Sequence, residues 1–316
     1  MQIIDGHCDV LYKMYEHPEI DFFDPQPAKL DVSYAGMVKA GIKVQCFAIY
    51  LPERITQPQF DHYLEYVDIF FRRIVSDPRI RHIKTRTDLE AVMNGKQVGA
   101  LLTLEGTDAL RGNSLYLRIM HDLGVRLIGT TWNHANWAAD GVMEPRQGGF
   151  TRRGKRFIKE CCDLGILLDV SHLTERAFWD LAETADKPFI ASHSNVLALC
   201  GHPRNLNDAQ IRELIRRDGR IGITFVPYFV RAASQGNATI DDVLRHVEYL
   251  CAMGAQHQIT FGSDFDGIQQ WIPGLEKAEQ YVNLVHALQR RYPEELVRRF
   301  MYGNWYSFLQ KRLPVQ

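Results

Sequence analysis

The sequence predicts one (β/α)8 TIM barrel, a single domain spanning residues 1–316, and three observations carry that expectation. Eight short apolar or β-branched runs recur, at 3–5, 42–50, 98–105, 126–132, 166–172, 188–193, 220–226 and 259–264. Amphipathic stretches separate most of them, and strands alternating with helices build a parallel sheet. Runs such as GALLTL and GILLDV are continuously apolar, as strands covered on both faces must be. Eight such units favour a closed barrel over an open doubly wound sheet, and 316 residues accommodate the usual length of about 250.

The elements follow in order. The first run opens the chain in MQIIDGHCD. After the second, residues 60–76 read FDHYLEYVDIFFRRIVS and place Phe60, Leu64, Val67, Phe70, Phe71 and Ile74 on one side of a helix. Residues 80–84 add a short peripheral strand. Helical patterns recur at 151–164, 174–184, 208–217, 241–253 and 277–291. The Gly-rich stretch GGFTRRGKR at 148–156 lacks the phosphate-loop pattern and reads as a loop preceding a helix. The basic cluster Arg79, Arg81, Lys84 and Arg86 reads as a solvated surface patch.

Composition excludes several classes. Lys plus Arg number 37 and Asp plus Glu 38, for a net charge of −1, with 46% hydrophobic residues. That is too apolar and too evenly charged for a disordered chain. Without a basic excess, nucleic acid is not an expected partner. The longest apolar runs, such as 98–104, fall far short of the ~20 residues that span a bilayer. No membrane association is expected. Cys8, Cys46, Cys161, Cys162, Cys200 and Cys251 show no zinc-ribbon or disulfide spacing and read as small buried hydrophobes. Together with an N-terminus that lacks a secretory pattern, they lead us to expect a cytoplasmic protein.

Polar residues gather where the runs end: Asp5-Gly6-His7-Cys8-Asp9, Glu105-Gly106, Asp169-Val170-Ser171-His172, Ser192-His193-Ser194 and Asp264-Phe265-Asp266. In a barrel these ends converge on one face, where active sites of this fold lie. His7 and Asp9 are two apart on an extended segment, so both point the same way. Glu105 ends a buried strand and must be paired or bound to a cation. His172 and His193 occupy equivalent places in successive units. Asp264 and Asp266 lie on one side of an extended segment, so one can serve as ligand or proton acceptor while the other is structural. This many His and carboxylate groups exceeds the usual three protein ligands of a mononuclear zinc site. It suits two metals bridged by a carboxylate, with a shared hydroxide. Zn²⁺, Mn²⁺ and Co²⁺ all accept such ligands.

With these fragments in view, the chain resembles the membrane (renal) dipeptidase family of zinc-dependent hydrolases. The resemblance runs through IIDGHCD, LTLEG, LLDVSH, IASHSN, Arg204-Asn205, FGSDFDG and GNWYSFL, in that order. It implies a (β/α)8 barrel holding two Zn²⁺, with His7 and Asp9 on one metal, His172 and His193 on the other and Glu105 bridging. It further implies that Asp264 faces the metals and accepts the proton of the bridging hydroxide. Arg204 would bind the terminal carboxylate of a dipeptide. Animal members carry a histidine after strand four, where TTWNHANWAADG places Trp132, with His134 two residues later. Either His134 reaches in by a loop shift, or oxyanion stabilisation comes mainly from metal. Trp132 and His134 are both candidates for substrate binding.

The expected activity is hydrolysis of dipeptides, including those with a C-terminal D-residue. Two alternatives stand beside it: cleavage of another amide or a lactone by the same machinery, and a non-catalytic binding barrel. A homodimer is a further expectation from the family.

Overall fold

The computed structural model describes residues 1–24 and 29–315; residues 25–28 and 316 of the expected domain lie outside the described residues. Among the described residues nine strands form: β1 (Ile3–Cys8), β2 (Ile42–Tyr50), β3 (Ile80–His82), β4 (Val98–Glu105), β5 (Val125–Gly129), β6 (Leu167–Asp169), β7 (Ile190–Ala191), β8 (Arg220–Ile223) and β9 (Ile259–Phe261). All pairings between them are parallel. β1 pairs with both β2 and β9, and β2 also pairs with β4. The ring β1-β2-β4-β5-β6-β7-β8-β9 therefore closes into an eight-stranded barrel. β3 stays outside it. It adds to β4 below β5, pairing Ile80–His82 with residues 98–100, whereas β5 takes residues 102–105.

The interior explains why the barrel is a packed core. Ile4, Val44, Cys46, Leu101, Leu127, Leu167 and Ile190 come from seven places on six strands and form one buried cluster with Trp305, Phe308 and Leu309. Those last three belong to the C-terminal helix Asn304–Arg312, so this helix plugs one end. Gly6 is required there, because a Cβ would lie 2.7 Å from the Trp305 ring. A second, larger cluster joins the outer strand faces to the surrounding helices.

Helix Phe60–Arg73 turns inward a face that overlaps the one its periodicity suggested at Val67, Phe70 and the following Ile74 but is rotated from it. Tyr63, Tyr66, Val67 and Phe70 are buried, while Leu64 and Phe71 are among the exposed hydrophobics. Tyrosines supply the missing core positions: the Tyr63 hydroxyl donates to the Gly106 carbonyl at 2.8 Å and accepts from the Ala109 N–H, and the Tyr66 ring stacks on Tyr15 with centroids 4.7 Å apart. The Gly-rich stretch at 148–156 leads into helix Arg152–Leu164, whose N-cap Thr151 accepts from the Gly154 N–H. Among the described residues no helix is long and apolar enough to cross a membrane.

Several strands are shorter than the apolar runs that announced them. The run 166–172 yields only Leu167–Asp169, and 188–193 only Ile190–Ala191. The chain leaves the ladder early at these points and turns its polar side chains into the mouth of the barrel.

Candidate metal centre

Five strand ends deliver the expected residues to one buried cluster. His7 is in β1, and Asp9 follows at the N-cap of helix Val10–Glu16. Asp9 is therefore no longer extended, but it still meets His7, Oδ2 to Nε2 at 3.4 Å. It makes no side-chain capping bond, which leaves its carboxylate to the cluster. Glu105 ends β4 and sends one oxygen each way. Its Oε2 lies 3.5 Å from His7 Nε2, and its Oε1 lies 2.8 Å from His172 Nε2 and 3.3 Å from His193 Nε2. Asp264 Oδ1 completes the His7 side at 3.8 Å.

His172, Asp264 and Asp266 have left-handed backbones, with φ of 70°, 65° and 68°. Asp tolerates this region through local hydrogen bonds. A histidine there stores roughly 1 kcal/mol or more, a cost that functional sites retain. The left-handed turns also correct the expected geometry of 264–266. The segment is not extended, and its two carboxylates part company. Asp264 faces the cluster. Asp266 accepts from the Asp31 and Val32 N–H groups at 2.8 and 3.0 Å, and its own N–H donates to Asp31. It is the structural member of the pair.

The ligand atoms of His7, Glu105 and His193 fall within 4.8 Å of one another, as do those of His7, Asp9 and Asp264. Among the described residues His7 Nε2 and Asp9 Oδ1 are buried without a hydrogen-bond partner, a costly state that a cation would relieve. The imidazoles of His172 and His193 are arranged to be ligands. His172 Nδ1 meets Asn133 Oδ1 at 3.0 Å, which fixes its proton on Nδ1. The Ser192 hydroxyl donates its one proton to Asp169 Oδ2, so it accepts from His193 Nδ1, 2.6 Å away. Both Nε2 lone pairs then point into the centre, 3.0 Å apart. Two lone pairs at that distance repel unless a cation draws them together. Asn133, Ser192 and Asp169 thus orient the two imidazoles, as partners of metal-binding histidines usually do.

Electrostatics agree. Burial pushes the Glu105 carboxyl up to about 8, with His7 opposing and Asp9 and Asp264 adding to it. Burial likewise raises Asp264 to about 7, against the pull of His7. Burial works against charge on His7, but Glu105, Asp9 and Asp264 outweigh it and hold this imidazole at about 10. Burial, then the Arg204 and His7 charges, keep His172 and His193 well below the usual histidine range and neutral. Three crowded carboxylates, two neutral imidazoles and His7, whose proton a bound cation would displace, form a donor set that divalent cations fit, and such cations would restore the ionised carboxylates.

The centre opens into a cleft of ≈ 450 Å³ whose walls include Tyr12, Tyr50, Trp132, Tyr228 and Phe229. Trp132 packs beside His172, ring centroids 6.0 Å apart. Arg204 is buried behind His193, donating to the His193 carbonyl at 3.2 Å and to Ser194 Oγ at 3.4 Å. Its Nε has no partner, and it stacks on Phe229 at 5.3 Å. It lines a smaller cavity of ≈ 170 Å³ that shares His172 with the main cleft.

The structure does not bring His134 to the centre. Its side chain is 55% exposed, with Nε2 3.1 Å from Glu53 Oε1. His134→Ala should leave kcat/KM within about twofold of the parent, as surface substitutions do; a loss beyond tenfold in steady-state assays would return His134 to the site. Asp169 and Ser192 join the site as orienting residues that the sequence does not single out. The available signal was a buried aspartate ending the strand beside a histidine-bearing one. Ser192→Ala should weaken metal affinity or activity by roughly 10–100-fold, read by competition with a chelator. Unchanged affinity and activity would remove Ser192 from the orienting role.

Residues 1–311 match the family described as membrane dipeptidase, peptidase family M19. The chain belongs to this family. It is thus an enzyme of the M19 metallodipeptidases, a family of hydrolases. A metallo peptidase from Rhodobacter sphaeroides, solved with a phosphinate mimic of the dipeptide L-Ala-D-Ala, superposes with a TM-score of 0.90. It is 25% identical, with 99% of each chain covered. The M19 dipeptidase AC also gives 0.90, at 26% identity over 100% of this chain and 99% of its own. Dipeptidase aclJ of Aspergillus oryzae is 32% identical over 200 residues, which is 62% of this chain and 47% of that protein.

Proposed function

We propose that this M19 enzyme hydrolyses dipeptides, among them dipeptides with a C-terminal D-residue, using two Zn²⁺ ions, with Mn²⁺ or Co²⁺ as alternatives. The observation that carries the reading is Glu105, which offers one oxygen to His7 and the other to His172 and His193. The Rhodobacter sphaeroides relative, solved with its L-Ala-D-Ala mimic, supports the substrate class and the D-residue. His7, Asp9 and Asp264 would hold one ion, His172 and His193 the other, and Glu105 both. When bound, the ions would supply a bridging hydroxide as nucleophile and an electrophile for the peptide carbonyl.

The chain's own groups would do the rest. Asp264 is the most accessible of the three carboxylates, its side chain 16% exposed against 9% for Glu105 and 5% for Asp9. It is therefore placed to take the proton released by the attacking water and pass it to the leaving amine. Arg204 has an unpartnered Nε and two long hydrogen bonds, so it retains donors for the substrate's terminal carboxylate. Trp132 walls the reacting carbonyl from solvent beside His172.

Assay of purified, metal-loaded protein on L-Ala-D-Ala and L-Ala-L-Ala tests the reading. Turnover of both is expected, and no turnover on a broad dipeptide panel would overturn the substrate claim. Arg204→Ala should lower kcat/KM for dipeptides by roughly 30-fold or more, mainly through KM. An enzyme for a neutral lactone or cyclic amide would tolerate the change.

A further inference from the structure

The cleft has an aromatic wall beside the metal centre. Tyr50 is the last residue of β2, Tyr12 lies one turn into the helix after β1, and Trp132 follows β5. Their rings meet edge to face. Tyr12 and Tyr50 have centroids 5.3 Å apart at 84°, and Tyr50 and Trp132 5.0 Å apart at 64°. All three are half-buried and line the same cleft as the metal centre. Edge-to-face contacts leave ring surface available to a ligand.

Barrel topology decides which part of a substrate meets this wall. In the ring β1-β2-β4-β5-β6-β7-β8-β9, β7 stands four places from β2 and is diametrically opposed to it. Arg204 lies in the connection after β7, stacked on Phe229 after β8. A dipeptide whose carboxylate is held by Arg204, with its carbonyl at the metal centre, extends its N-terminal residue toward β2, where Tyr50 and Tyr12 stand; Trp132, midway round the ring between β7 and β2, joins them through its contact with Tyr50. From this placement, and resting on the dipeptidase reading, we infer that Tyr12, Tyr50 and Trp132 form the subsite for the N-terminal side chain and select aromatic or large apolar residues there. The acidic groups lining the cleft, Asp9, Glu105 and Asp264, are all in the ligand set. An ammonium or carboxylate side chain on this wall would be desolvated without a free partner.

The test is a substrate ratio measured on one preparation, in which losses of folded or metal-loaded protein cancel. The kcat/KM for Phe-Ala should exceed that for Ala-Ala by about tenfold or more, with Glu-Ala and Lys-Ala below Ala-Ala. Tyr12→Ala and Trp132→Ala should each cut the Phe-Ala to Ala-Ala ratio at least about threefold. Tyr12→Phe should retain it, and the Ala-Phe to Ala-Ala ratio should stay unchanged in all three. A wild-type ratio of one or less, better turnover of the charged substrates, or ratios untouched by both alanine variants would overturn the subsite. So would an effect confined to Ala-Phe. In those cases dipeptides are still cleaved and the dipeptidase reading survives. No turnover of any dipeptide would overturn that reading and the subsite with it.

Discussion

Glu105→Gln is expected to reduce dipeptide turnover on the order of a thousandfold or more. Glu105 Oε2 faces His7 and Oε1 faces the His172–His193 pair. An amide keeps the shape but replaces one oxygen with an NH2 group, which cannot bind a cation. One side of the bridge is lost whichever way the amide turns, and its N–H groups would point at a histidine nitrogen or an ion. Stability separates this from simple unfolding. Ions held a thousandfold below their free concentration stabilise the native state by about 4 kcal/mol. In the parent, metal should therefore raise Tm by several degrees. Glu105→Gln should match the parent's Tm without metal, since it removes a buried carboxylate from a crowded site, and should lose most of the gain with metal. Calorimetry with and without Zn²⁺ checks both halves. A variant retaining the full gain and near-parent turnover would show that Glu105 does not bridge.

Gly267→Ala should be nearly as damaging, although one methyl group is all it adds. Gly267 lines the cleft, and a Cβ there would sit 2.3 Å from Asp9 Oδ2 and 2.8 Å from Asp264 Oδ1. Neither carboxylate can yield freely. Asp9 is buried against His7, and Asp264 is fixed by its left-handed turn and by the Asp31–Asp266 hydrogen bonds behind it. The methyl group would displace one ligand of the His7 side. The expected result is a loss of roughly 100-fold or more in kcat/KM and one metal ion bound much more weakly, with little change in secondary structure by circular dichroism. Normal activity with a full metal complement would mean that the two carboxylates do not define that side of the centre.

How far the sequence carried these conclusions depends on the length scale. The apolar runs located every barrel strand, because a strand buried on both faces leaves a continuous apolar signature. Even the peripheral strand at 80–82 was visible. The polar residues ending those runs marked the centre for the same reason. His7, Asp9, Glu105, His172, His193 and Asp264 stand where buried strands must stop. Local backbone conformation was not legible. Period-two reasoning placed Asp264 and Asp266 side by side, whereas two left-handed residues send one to the metal centre and the other to the 31–32 backbone. The inward face of helix 60–73 is not legible either, because it uses Tyr63 and Tyr66, and the Tyr63 hydroxyl is satisfied by partners some 40 residues away in sequence. The orienting groups Asn133, Ser192 and Asp169 have common polar side chains, and only tertiary contact with the histidines distinguishes them. His134 beside Trp132 had no local feature to tell a rim residue from a site residue; its exposure and its pairing with Glu53 do.

The most direct measurement is metal content and activity on the same samples. Chelated protein should be inactive on L-Ala-D-Ala, and titration with Zn²⁺, Mn²⁺ or Co²⁺ should restore turnover as occupancy rises to about two ions per chain. Fewer than about one ion per chain at saturation, with no rescue by any of the three metals, would contradict the two-metal centre built on Glu105.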